Sequence, residues 1–129
     1  MITQNIILIL LTIIDANYNL YIINGANPSD FINNRKWHKW GGILALNIAL
    51  FIGYLTNNYF LSGLYLAYRA TTFAIALNLL RGKPLFYLSV NGFEGWFTKR
   101  GLNWLYFLGG FIFIGLLNYF QWQYIHQHN

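Results

Sequence analysis

The sequence predicts an all-α integral membrane protein with four transmembrane helices plus one or two short interfacial amphipathic helices. Three observations predict it. First, 57% of the 129 residues are hydrophobic and 20% aromatic, while only 9% are charged. An average soluble domain has about 25% charged residues, and a chain this short has too few to cover its apolar side chains in water. Second, the apolar residues fall into four stretches near the ~20 residues that a helix needs to cross a bilayer. Third, seven of the eight basic residues lie in or beside the segments between those stretches, as Arg35, Lys36 and Lys39, then Arg81, Lys83, Lys99 and Arg100. The chain reads as one transmembrane domain, residues 1–129. Cysteine is absent, which excludes a disulfide framework, a thiol nucleophile and thiolate metal ligation.

The first span is predicted over 4–23. Ile6 to Ile14 is apolar except for Thr12, and MITQN carries no Lys or Arg, so the segment reads as an uncleaved helix and not a signal peptide. Helical steps of three and four put Asn5, Leu8, Thr12, Asp15 and Asn19 on one stripe, which should face protein. A short interfacial helix is the alternative for this segment. Residues 24–37 form a basic connector: Asn24-Gly25 and Asn27-Pro28-Ser29-Asp30 are turn and helix-start signals, with Ser29 or Asp30 as N-cap. Phe31 to Trp40 should form a surface helix running into the second span, 38–55. There Trp37 and Trp40 interleave with Arg35, Lys36 and Lys39, a pattern that suits the headgroup zone. Within the second span Gly42, Ala45, Ala49 and Gly53 make a small-residue seam for close helix packing. Thr56-Asn57-Asn58 is a tight, uncharged turn.

The third span, 59–80, carries Arg69 at its middle. A charge there costs about 3 kcal/mol on insertion scales, so it needs a partner within the protein. Asp15 is the only acid in any other apolar stretch. Counted from the basic ends of their helices the two differ in depth by roughly 5 Å, within an arginine's reach. The span shows two faces: a small one of Gly63, Ala67, Ala70 and Ala74, expected to pack on the second span, and a polar one of Ser62, Tyr65, Arg69, Thr72 and Ala76, expected to face the first. Arg81-Gly82-Lys83-Pro84 should stop the helix, with Gly82 in the left-handed cap. Residues 85–101 are too polar to span. Asn91-Gly92-Phe93-Glu94 resembles a capping box with Asn in place of Ser or Thr, opening an amphipathic helix with Phe93, Trp96 and Phe97 in lipid and Glu94, Lys99 and Arg100 in water. The fourth span, 102–125, has Gly109, Gly110 and Gly115 for close contact and Trp104 and Trp122 as anchors at its ends. His126-Gln127-His128-Asn129 is expected as a tail.

Basic segments 24–37 and 81–101 both fall on one side of such a scheme, so the positive-inside rule makes them cytoplasmic and both termini non-cytoplasmic. Asp15 and Arg69 form the candidate intramembrane ion pair. It would either fix how two helices pack or serve a proton, ion or lipid-phosphate role. Arg35, Lys36, Lys39, Asn78, Arg81, Lys83, Lys99 and Arg100 are the candidate contacts for anionic headgroups or a protein partner. Nucleic acid is not expected, because these basic residues hug the membrane. His38 reads as a surface residue, and His126 and His128 are two apart where helical metal ligands sit three or four apart. No metal, cofactor or catalytic residue is predicted, and serine-nucleophile, phosphate-loop and dinucleotide motifs are absent.

An apolar span with a central arginine, then LNLLRGKPLFY, after a first helix with Asp-Ala and a connector with His, resembles small uncharacterised polytopic membrane proteins of phage and prophage regions in AT-rich bacterial genomes. The likeness covers the first two-thirds of the chain and rests on Asp15, His38, Arg69, Asn78 and Arg81. It implies a phage or mobile-element setting, in a bacterial inner membrane or a virion or host membrane, without an assigned activity. An acid expected near Ala74 or Ala76 is missing, which weakens a catalytic reading. The leading function is a non-enzymatic structural or assembly component that binds membrane lipid and associates with itself or a larger complex. The alternatives are a holin-like or channel-forming oligomer, and a small transporter subunit or lipid-acting enzyme, which the sparse titratable residues disfavour.

Overall fold

The structure, a computed structural model, describes residues 1–25, 31–89 and 92–128, with side chains described for 1–19, 41–89 and 93–128. The described elements are all helical: α1 (Ile2–Gly25), α2 (Phe31–Thr56), α3 (Tyr59–Ala70), α4 (Thr72–Leu80), α5 (Gly92–Thr98) and α6 (Asn103–His128). Helix α1 continues through Asn24-Gly25, where the connector was expected to begin. The turn signals at 27–30, with the N-cap at Ser29 or Asp30, lie outside the described residues. Helix α2 is a single 26-residue helix, so the surface helix and the second span are one element. Gly41-Gly42 lowers its helix propensity without interrupting it. The following turn needs Asn57 at φ +50°, a conformation asparagine tolerates, and the Asn58 side chain caps α3 by accepting from Phe60 N–H at 3.1 Å.

The third apolar stretch keeps its expected extent, Tyr59–Leu80, but is divided into two helices. Thr71 ends α3 and opens α4. Its N–H is shared between the Ala67 and Tyr68 carbonyls at 3.1 and 3.3 Å, and its hydroxyl donates to Ala67 O at 2.8 Å. A threonine hydroxyl that competes for the carbonyl four residues back loosens the local ladder. Helix α4 then stops as its sequence dictates. Gly82, at φ +63°, donates to Leu79 O and Lys83 N–H to Asn78 O, the paired bonds of a left-handed glycine cap. Helix α6 runs on through His128, so the expected tail at His126–His128 is helical.

Helix α3 is the hub, packing against α1, α2 and α6, while α1 also lies along α4 and α5 rests on α6. The core joins Leu8, Ala45, Ala49, Leu61, Leu64, Tyr65, Ala67, Tyr68 and Ile114. The α1 stripe faces this core: Leu8, Thr12 and Asn19 are buried, with Ala16 beside them. The faces of α3 are rotated from the expected assignment. Ser62, placed on the α1 side, donates instead to Ala49 O of α2 at 2.6 Å, and Gly63, expected against α2, faces Leu117 of α6. A third neighbour, α6, claims the small face. Of the glycines in α6 only Gly110 is in close contact, against the Thr71 methyl; Gly109 and Gly115 face open space.

Large apolar side chains point outward along α1, α2 and α6, among them Ile7, Leu10, Ile14, Leu46, Leu50, Phe51, Leu108, Ile112 and Phe113. Two helical stretches among the described residues, against the four expected, are long and apolar enough to cross a membrane: Tyr59–Leu80 and Asn103–His128. The apolar part of α2, Gly41–Thr56, is shorter.

Candidate functional site

The fold brings Asp15 of α1 and Arg69 of α3 together. Arg69 Nε lies 2.8 Å from Asp15 Oδ2. The Nε–H does not align on that oxygen as a hydrogen bond, so the contact is chiefly coulombic. Asn19 holds the carboxylate from the other side: its amide donates to Asp15 Oδ1 and to the Asp15 carbonyl, both at 2.7 Å. Phe73 lies 3.5 Å under the guanidinium carbon, and buried Tyr65 sits against both charges. The aromatic face shields one side of the cation. The side chains stay 17% exposed for Arg69 and 31% for Asp15.

A second polar cluster was not foreseen. Tyr68 donates to Asn5 Oδ1 at 2.6 Å, Asn5 donates to Asn118 Oδ1 at 2.7 Å, and Gln121 donates to Gln4 Oε1 at 3.2 Å. It ties α1, α3 and α6 together near the start of α1, with Gln121 only 1% exposed. Asn118 and Gln121 are three apart, so they share a face of an otherwise apolar helix; that spacing was the available signal.

The basic residues divide. Arg81, Lys83, Lys99 and Arg100 are exposed; Lys83 lies over Tyr87, and Arg100 over Trp96 with a bond from its Nη1 to Trp96 O. Asn78 turns inward instead. It is buried, and its amide donates to Leu85 O and Tyr87 O at 3.0 and 2.9 Å, so it staples the following loop to α4 and has no donor left for a headgroup. The side chains of Arg35, Lys36, Trp37, His38, Lys39 and Trp40 lie outside the described ones. Glu94 accepts from Ser89 N–H at 3.1 Å and Thr98 donates to Ser89 O, so α5 clamps the segment before it. Asn91, expected as the other half of the capping box, lies outside the described residues. Trp96, Trp104 and Trp122 are exposed.

Among the described residues no three of His, Asp and Glu converge on a point that would hold a metal ion. His126 and His128 instead set their Nδ1 atoms on the Trp122 and Tyr124 carbonyls, 2.8 and 2.9 Å away. Comparison with protein families, characterised proteins and solved structures finds no match to this chain.

Proposed function

We propose that this chain is an integral membrane protein of four crossings that works without catalysis, as a structural or assembly component whose basic end holds anionic headgroups. The observation that carries the reading is the outward face of the helices. The 18-residue window that makes Asn103–His128 long and apolar enough to span is only 11% buried, whereas a core helix of a water-soluble protein would be mostly buried. Helices α1 and α2 supply the other two crossings. At 24 residues α1 is about 36 Å long, against about 30 Å of hydrocarbon; the apolar part of α2, Gly41–Thr56, is about 24 Å and reaches across only with the helix residues from Trp37 onward.

Polar side chains in the helices pair within one chain: Asp15 with Arg69, Asn5 with Tyr68 and Asn118, Gln4 with Gln121. This supports an assembly role over a channel, because between the two clusters the α1 stripe offers only buried Leu8 and buried Thr12, whose hydroxyl donates to Ile9 O of its own helix. The exposed cations Arg81, Lys83, Lys99 and Arg100 are the headgroup contacts. A phage setting and self-association remain part of this proposal.

Two measurements test it. The chain should resist alkaline extraction and float with liposomes, and its expression should leave dye-loaded vesicles sealed. Release into the aqueous phase would end the membrane reading; leakage abolished by Asp15→Leu with Arg69→Leu would replace it with the channel reading.

A further inference from the structure

Helix α2 turns an amide away from the bundle. Asn47 is exposed, and its Nδ2 donates to Ile43 O of its own helix at 2.9 Å. That leaves one N–H and the side-chain carbonyl oxygen with no partner among the described residues. At about 100° per residue, Asn47 falls on the side opposite Ala45 and Ala49, which join the core against α3. Around it, at helical steps of three, four and seven, stand Ile43, Leu44, Leu50, Phe51 and Tyr54, all exposed. The side chain lies about 14 Å along the axis from Thr56, near the middle of a hydrocarbon layer of about 30 Å.

Water and lipid headgroups lie well away from that depth, so an amide left unpaired there is costly. Asn5, Asn19, Asn118 and Gln121 each reach a partner side chain within the chain. Asn17 is exposed and bonds back to Ile13 O as Asn47 does to Ile43 O, but it lies nearer the basic end of its helix. Gly41–Thr56 carries no Lys, Arg, Asp or Glu, so Asn47 calls for a neutral donor and acceptor and not for an ion. A second amide supplies both. When a two-fold axis stands along the membrane normal, Asn47 of one copy meets Asn47 of the other at the same depth, and each donates to the other. We propose that α2 is the face by which two copies of this chain associate, with reciprocal Asn47 bonds at the centre and Ile43, Leu44, Leu50, Phe51 and Tyr54 packed around them. This rests on the membrane reading and names the surface that self-association would use.

The test uses the full chain in phosphatidylcholine liposomes, as a mixture of donor-labelled and acceptor-labelled copies. Energy transfer, followed as added lipid dilutes the protein, reads the dissociation constant. The wild type should associate, and Asn47→Leu should weaken association about tenfold, the fold-change of lost interhelical amide bonds. Asn47→Gln should retain part of it, and Leu46→Ala, turned about 100° away, should leave it unchanged. Because the chain has no cysteine, single cysteines map the face. Oxidation should link copies through Phe51→Cys and not through Ile48→Cys. Circular dichroism verifies helix content in each variant. Energy transfer no higher than random mixing, or association unchanged by Asn47→Leu, overturns the proposal. So does linkage that favours Ile48→Cys, and so does a chain that is monomeric alone and associates through Asn47 only with a different membrane protein. A chain that fails to float with liposomes overturns the membrane reading itself, whereas one that floats as a monomer overturns only this inference.

Discussion

At the scale of single residues, the interior charge is held by a few short contacts. Removing one member of an ion pair strands the other, which costs more than the pair contributes. Arg69→Leu should destabilise the fold by about 2 kcal/mol, below the fully buried range because both side chains stay partly exposed. Asp15→Leu combined with Arg69→Leu should destabilise it less than either single change. Unfolding in detergent, followed by helical circular dichroism, measures both; a double variant as unstable as the sum of the singles would refute the pairing. This pair was legible in the sequence because one arginine and one acid stood alone in apolar stretches. The cluster of Asn5, Tyr68 and Asn118 was legible only in part: the helical stripe turned Asn5 toward protein, but no pattern in the sequence named Tyr68 and Asn118 as its partners.

At the scale of elements, the third apolar stretch carries the least expected feature. Thr71 breaks it beneath Gly110, where an added methyl would strike the Thr71 methyl. Gly110→Ala should therefore cost about 1–3 kcal/mol by overpacking. Thr71→Ser removes that methyl and keeps the hydroxyl bonded to Ala67 O, so it should restore much of the loss in the Gly110→Ala background. No rescue would mean that the contact is not what limits Gly110. The helix stop is local and was readable: Gly82 at φ +63° takes a conformation that costs an L residue about 1–2 kcal/mol. Gly82→Ala should lower stability by about 1 kcal/mol in the same assay, whereas a neutral result would show that the cap can be rebuilt.

At the scale of the whole molecule, the helix directions gather the described basic residues at one end. Gly63 faces Leu117 and Thr71 faces Gly110, so α3 and α6 run antiparallel. The Thr56–Asn58 turn joins α2 to α3 as a hairpin. Positions 35–39 at the start of α2 thus share an end with Arg81, Lys83, Lys99 and Arg100. A reporter fused after residue 129 should be active only on the side away from the cytoplasm, and one inserted near Lys83 only in the cytoplasm. A cytoplasmic C-terminal reporter would reverse or discard the four-crossing scheme.

The sequence by itself determined the helical class, the hairpin turn, the glycine stop after Leu80 and the isolation of Asp15 and Arg69, because each depends on composition or on a few adjacent residues. Only the tertiary structure decided which face of α3 meets which neighbour, the break at Thr71 and the inward turn of Asn78. Those features follow from how three helices share the surface of one hub, and no local pattern along a chain records which neighbour will win a given face.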